Sequence, residues 1–400
     1  MAKAFSGENP SQLYLDIQRA LIVEGDEVGP RGKKTKELRP VIIENLNPTN
    51  RVTFVEGRKV NPFFQQAEAL WILAGRSDVE WLLKYNKNMG QFSDDGVHFN
   101  APYGERLRFW NKSNANDYIY NPLDQLVDVF EKIGKDTYTR QAVAVIYNPL
   151  FDNAGYGGKD TPCNLILTFK VRPCARLGGK DALDLTVFNR SNDLHWGTFG
   201  ANLCQFATIQ EVVASWLGLP VGKYSVCSDS LHIYLEDYGA KETNKILEAY
   251  DLTDANWTHA DLPKVKHFNF EDEPRISMSI EEFIGFTHTF FNGGLSDALH
   301  NDNNIIDSMT GEALLETFKN IPDAYFRDTL LNMLVYRAHR LGNFELLIKA
   351  LEATKDSQWK LSGLYFLYTS YKDKPEFRKL YEHFSEDKQR YIERKKQRRY

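Results

Sequence analysis

Between Gln141 and Val187 three short runs, AVAVIY, LILTFKV and LDLTVF, are rich in β-branched residues and joined by links bearing Gly, Asp and Pro. Runs of this kind favour strands. The chain around them lacks the regular strand–helix alternation that a doubly wound parallel sheet demands. The expected class is therefore α+β (mixed α/β), with a predominantly antiparallel or mixed sheet flanked by helices.

Helical periodicity surrounds this β-rich centre. Leu13, Tyr14, Ile17 and Leu21 predict a helix over residues 12–24, and Phe64, Ala67, Leu70, Trp71 and Leu73 predict another over 61–75. A third is expected over 121–132 behind an Asn121 cap, and a strongly apolar one over 203–217. The polar run GDEVGPRGKKTKELRP reads as a mobile, positively charged loop. Beyond about residue 300 the pattern is wholly helical, with Leu314, Leu315, Phe318, Leu330, Leu331, Met333, Leu334 and Tyr336 as lining positions. The expected division is a catalytic domain over 1–300 and a helical C-terminal extension over 301–400. The closing ERKKQRRY reads as a solvated helix end, where cations suit the dipole.

Composition narrows the function. A net charge of -5 argues against non-specific nucleic-acid binding. Four cysteines without CxxC spacing fit a reducing cytoplasm. Neither a signal peptide nor an apolar run of about eighteen residues is evident, so no membrane association is expected. There is no GxxxxGK[ST] loop and no HExxH pair, and no metal site is expected.

Several local patterns carry chemistry. TPCN places Cys163 just before a strand; alone, such a cysteine fits an inert apolar residue. NRSND closes a strand with Arg190, Ser191 and Asp193 together, and Arg and Ser offer charge-assisted donors to a phosphate. In DSLHIY, His232 and Tyr234 share one face of a strand. Glu68 interrupts an apolar helix.

The ordered series AEALW, APYGERLR, TRQ followed by YNP, TPCN, NRSND, NLCQF and LHIY resembles the thymidylate synthase and pyrimidine hydroxymethyltransferase superfamily, over about residues 30–290. The resemblance implies a thymidylate synthase-like fold and a homodimer acting on a pyrimidine deoxynucleoside monophosphate with 5,10-methylenetetrahydrofolate. It makes Cys163 the nucleophile that adds to C6, with Arg190 beside both thiolate and phosphate. Glu68 and Tyr103 become the proton-transfer residues, and Asp193 the carboxylate that holds the pterin. Arg31, Arg190 and Ser191 would bind phosphate, and Arg140 would reach the neighbouring protomer's site. The family's adjacent arginine is Gln141 here. His232 and Tyr234 match the pair that binds the sugar 3'-hydroxyl.

Base choice by resemblance depends on GTFGANLCQF, which holds one residue more than the synthase pattern. Allowing that insertion aligns Asn202 with the asparagine that reads uracil; without it Ala201 stands there. Two further departures bear on the product. Met89 stands where synthases carry a tryptophan, and Asn164 replaces the histidine after the nucleophile. Both bring water toward the methylene carbon at C5, and with it a hydroxymethyl rather than a methyl product. The long helical extension resembles the larger phage-type deoxyuridylate hydroxymethyltransferases. The expected activity is hydroxymethylation of dUMP. Methylation to dTMP, hydroxymethylation of a cytidylate, and a retired member acting in nucleic-acid binding or assembly are the alternatives.

Overall fold

A computed structural model describes residues 2–110, 122–153, 158–252, 263–300 and 308–394. Packing divides the chain into two compact units, residues 1–57 with 68–266, and residues 58–67 with 267–400.

In the first unit the strands are β1 (Lys3–Gly7), β2 (Asp26–Val28), β3 (Thr35–Leu38), β4 (Val41–Asn45), β5 (Val143–Val145), β6 (Asn164–Cys174), β7 (Lys180–Asn189), β8 (Asn192–Asp193), β9 (Val221–Ser228) and β10 (Leu231–Tyr234). Its helices are α1 (Pro10–Glu24), α2 (Pro62–Leu73), α3 (Val79–Leu83), α4 (Tyr103–Arg108), α5 (Gln125–Lys135), α6 (Pro149–Asp152), α7 (Leu203–Trp216) and α8 (Asp237–Ala249), the first turns of α2 belonging to the second unit. A mixed six-stranded sheet runs β1-β4-β9-β7-β6-β5, and a four-stranded one runs β2-β3-β10-β8. The β6–β7 and β4–β9 pairs are antiparallel, whereas β7–β9 and β1–β4 are parallel. This is the mixed architecture that the strand-rich centre predicts.

Alternation sorts the faces of the large sheet. Leu167, Phe169 and Val171 of β6 and Leu183, Leu185 and Val187 of β7 are fully buried. The intervening Thr168, Lys170, Asp184 and Thr186 are half-buried or exposed. Helix α7 is buried nearly all round, through Phe206, Ile209, Val212 and Val213. Its one carboxylate, Glu211, is paired with the buried guanidinium of Arg51, whose Nη1 also donates to Thr208 Oγ1 at 2.8 Å. A buried charge requires such partners.

Helix starts follow the side chains available to cap them. Asn9 accepts from the backbone N–H groups of Ser11 and Gln12, and Asn61 from those of Phe63 and Phe64. The helix expected over 121–132 is α5, capped by Asp124 rather than Asn121, which lies outside the described residues, as does the basic tail beyond Arg394.

The segment read as a mobile loop is instead ordered. Strands β2 and β3 pair antiparallel, with Arg31 at the turn between them in a left-handed conformation (φ 54°), and β3 pairs onward with β10. Thr35 and Leu38 are buried. The order comes from β10, about two hundred residues away, so no local pattern in this polar run announces it.

The second unit is helical. Its helices are Ile280–Asn292, Leu295–Leu299, Ser308–Lys319, Ala324–Leu341, Phe344–Ala353, Gln358–Tyr371, Pro375–Lys379 and Glu386–Ile392. The 301–400 stretch falls within this unit, which also takes in residues 58–67 and 267–300. All eight lining positions expected there are buried. Phe63 packs its ring on Tyr336 and Phe366, with centroids 5.3 and 5.7 Å away. The Gln66 amide bridges Thr329 Oγ1 at 3.2 Å and Asn332 Nδ2 at 3.0 Å. Ser279 and Glu282 form a capping box at the start of Ile280–Asn292.

Candidate active site

Cys163 is the last residue before β6, and Arg190 follows the end of β7, its antiparallel neighbour. The ladder therefore brings them face to face. Arg190 N donates to Cys163 O at 3.0 Å; Nε donates to Pro162 O at 2.9 Å and Nη2 to Thr161 O at 3.0 Å. The same Nη2 points at Cys163 Sγ, 3.8 Å away. Burial pushes the thiol up from its ordinary value, and the Arg190 and Arg31 cations pull against it while Asp160 and Asp193 add to it. Arg190 thus acts in the expected direction, but burial outweighs it in the free protein.

Tyr103 begins α4, and its ring stacks on Phe206 of α7 with centroids 6.2 Å apart. Burial, then the charges of Cys163 and Asp160, raise its phenol, and the Asn164 side chain and backbone face it. Glu68 is buried on α2, and desolvation lifts its carboxyl to about 7, opposed by a hydrogen bond from Gln205. Its Oε2 has no hydrogen-bond partner among the described residues. Such a group can hold or release a proton near neutrality.

On the turn after Arg190, Ser191 is half-buried, and Asp193 caps the next helical segment by accepting from Trp196 N at 2.7 Å. The second Asp193 oxygen accepts from the Tyr238 hydroxyl. His232 and Tyr234 share a face of β10, with ring centroids 5.2 Å apart. Burial lowers the His232 pKa, against the opposing charges of Asp193 and Glu37. Tyr234 is raised by burial first; Arg31 donates a hydrogen bond to it and opposes that rise.

The segment Leu194–Asn202 is a π-helix that runs directly into α7. A π turn takes one residue more than an α turn. At its end Asn202 lies buried with its Nδ2 3.3 Å from Asn164 Oδ1 and 3.4 Å from Asn192 Oδ1.

Cys163, Arg190, Tyr103, Asn164, Asn202, Asp193, Arg31, His232 and Tyr234 are thus joined by hydrogen bonds or by mutual electrostatic influence. Glu68 reaches α7 through Gln205. Met89 is buried on the turn Lys87–Phe92 and Arg140 is exposed; no described contact joins either to the cluster. Asn192, Asp160, Gln205 and Tyr238 were not anticipated. Asn192 and Asp160 stand inside the quoted motif neighbourhoods, but their roles arise from the π turn and from the approach of the Ala101 loop, whose N–H donates to Asp160 at 3.1 Å. Among the described residues no three His, Cys, Asp or Glu side chains are placed to hold a metal ion, and no helix is long and apolar enough to cross a membrane.

The thymidylate synthase family model matches residues 12–274. A deoxyuridylate hydroxymethyltransferase of Bacillus phage SP01 is 53% identical over 394 residues, covering 98% of this chain and 99% of the relative. Proteins of the same name from Pseudomonas phage M6 and Delftia phage PhiW-14 are 35% and 30% identical, over 56% and 49% of this chain and 58% and 52% of their own lengths. This chain belongs to the thymidylate synthase family.

Proposed function

We propose that the protein transfers a one-carbon group to C5 of dUMP and releases 5-hydroxymethyl-dUMP, by way of a thioether between Cys163 and C6. The observation that carries the reading is the Arg190–Cys163 contact at 3.8 Å, in a chain matched along nearly its whole length by a deoxyuridylate hydroxymethyltransferase.

In this reading Arg190, with Arg31 and Ser191, takes the nucleotide phosphate. The thiolate of Cys163, favoured by Arg190 against burial, adds to C6 and makes C5 nucleophilic. His232 and Tyr234 hold the sugar hydroxyl. Tyr103 and Glu68 handle the C5 proton, Glu68 with a carboxyl poised at about 7.

The cosubstrate is 5,10-methylenetetrahydrofolate, which supplies a carbon at the oxidation level of formaldehyde. The buried, unpartnered Glu68 Oε2 suits the polar edge of such a ligand, and Asp193 is assigned to its pterin. Met89 and Asn164 are assigned to product choice because they stand where synthases carry a tryptophan and a histidine. Nucleophilic C5 would bond to the carbon that the cosubstrate carries. Loss of the C5 proton toward Tyr103 and Glu68 would let tetrahydrofolate leave unoxidised, with a methylene at C5. Water would then add to the methylene, its proton passing to the site's carboxylates. Departure of the Cys163 thiolate from C6 would restore the C5–C6 double bond.

A homodimer is part of this reading, with Arg140 passing into the neighbouring site. It is supported by the exposure of Arg140 and by the open face of the large sheet, where Ile42 is 39% exposed.

The decisive experiment incubates the protein with dUMP, and separately with dCMP, plus 5,10-methylenetetrahydrofolate. Nucleotide mass and folate absorbance are followed together. A hydroxymethyl product without folate oxidation is expected from dUMP; a methyl product with dihydrofolate identifies a synthase instead.

A further inference from the structure

The first turn of α8 reaches the carboxylate of Asp193. The Tyr238 hydroxyl donates to Asp193 Oδ2, while Asp193 Oδ1 accepts from Trp196 N at 2.7 Å. Tyr238 is 47% exposed, too open for apolar packing to account for its place. Its ring leans on Tyr234, with centroids 5.7 Å apart, and its polar end is turned to the carboxylate.

The backbone on either side of Tyr238 is unusual. Asp237 takes a left-handed conformation (φ 54°), which is unfavourable for a residue with a Cβ. Gly239 is packed so closely that a Cβ on it would fall 2.5 Å from Tyr234 O. Asp237 is held from outside by Lys33, just before β3, whose Nζ lies 2.6 Å from its carboxylate. Farther along α8, Thr243 Oγ1 lies 3.2 Å from His195 Nε2, and His195 Nδ1 is hydrogen-bonded to the buried Tyr14 hydroxyl. Helix α8 is thus tied at two points to the segment that Asp193 opens. Strain maintained by surrounding contacts points to a function for the residue that it places.

We propose that Tyr238 is a positioning residue for the folate cosubstrate, fixing the plane of the Asp193 carboxylate that receives the pterin. The inference rests on the assignment of Asp193 to the pterin above and names what prepares it. An aspartate carboxylate turns easily about χ2, because that torsion has broad wells. A donor on each oxygen stops the rotation, and each oxygen keeps a lone pair for a ligand. The N3–H and 2-amino groups of a pterin are coplanar neighbours, so they suit an acceptor whose plane is already set. Without the Tyr238 hydroxyl only the Trp196 N–H remains to hold the carboxylate, and ordering it falls to the binding step. Arg190 keeps its anchors on Thr161 and Pro162 when that hydroxyl is removed, so the effect belongs to the cosubstrate rather than to the nucleotide.

The test measures binding of tetrahydrofolate to the dUMP-saturated full chain by titration calorimetry, together with kcat and the KM values for 5,10-methylenetetrahydrofolate and dUMP. The native protein is compared with Tyr238→Phe, Asp193→Asn and the double variant. Tyr238→Phe keeps the ring and is expected to raise the tetrahydrofolate Kd and the cosubstrate KM by about tenfold, changing kcat and the dUMP KM much less. Asp193→Asn is expected to weaken the same ligand by at least as much. In the Asp193→Asn background the loss of the hydroxyl should have no further effect, because Tyr238 acts only through the carboxylate. Unaltered cosubstrate affinity in Tyr238→Phe overturns the proposal, as does a hydroxyl effect that persists undiminished in the double variant. Equal losses of dUMP and tetrahydrofolate binding mark a general defect of the site and overturn it too. If Asp193→Asn weakens tetrahydrofolate while Tyr238→Phe does not, the pterin assignment stands and only Tyr238 is removed. If Asp193→Asn leaves tetrahydrofolate binding unchanged, the pterin assignment itself fails and takes the proposal with it.

Discussion

Arg190 Nη2 stands 3.8 Å from Cys163 Sγ while the same guanidinium is anchored on the carbonyls of Thr161 and Pro162. The cation is tied to the loop that carries the thiol, so it travels with its target. Replacing Arg190 with Gln removes the principal influence opposing burial. The Cys163 thiol should then titrate higher, and its peptide-resolved alkylation by iodoacetamide should slow by up to about tenfold per pKa unit gained. An unaltered dependence of alkylation on pH would remove Arg190 from this role.

Cys163→Ala leaves Arg31, Arg190 and Ser191 in place and deletes the proposed nucleophile. Turnover should be lost while dUMP still binds. Appreciable residual turnover in single-turnover mass analysis contradicts the covalent route.

The Glu68 carboxyl, lifted to about 7 by burial, changes charge where enzymes are assayed. Glu68→Gln stays neutral throughout. The variant's pH–rate profile should lose the limb near neutrality and its rate should fall by roughly a hundredfold or more. A profile that keeps that limb places the titration on another group.

Asp328 lies buried in the second unit with Oδ1 unpartnered, and desolvation raises its carboxyl from 3.8 to about 7. Because the folded pKa exceeds the unfolded one, ionisation costs stability increasingly from the lower value to the higher and uniformly above it. Asp328→Asn should therefore match the native protein in acid and exceed it at alkaline pH, by up to about 4 kcal/mol. Urea unfolding followed across that pH range checks this; a gain independent of pH rejects the titration as its cause.

Gly104 follows Tyr103 in α4, and a Cβ on it would fall 2.5 Å from the carbonyl oxygen of Ile72 and 2.8 Å from its Cα. Gly104→Ala should cost about 1–3 kcal/mol and disturb Tyr103 with it. Thermal melts and initial rates should both fall; a rate that is unaffected separates the helix contact from the placement of Tyr103.

Local patterns were the legible part of the fold. Apolar spacing located α1, α2 and α7, and β-branched runs located β5, β6 and β7, because side-chain periodicity is written in consecutive residues. The β2–β3 pair was misread, since its order depends on β10 far along the chain. At the site, motif order singled out Cys163 and Arg190, but their contact is a product of antiparallel register. Asn192 carried no signal: it sits within NRSND like any polar turn residue. Its partners arrive only when the π turn swings Asn202 toward it.

That π turn also has a consequence for how such a chain changes over time. An added residue in an α-helix ordinarily rotates everything beyond it by about 100° and ruins the packing downstream. Between Asp193 and Leu203 the chain winds as a π-helix, whose wider turn takes up one residue more than an α turn. The turn after Arg190 and the buried face of α7 consequently keep their separate registers. The segment between them is a joint at which a residue can be gained or lost without rebuilding the core.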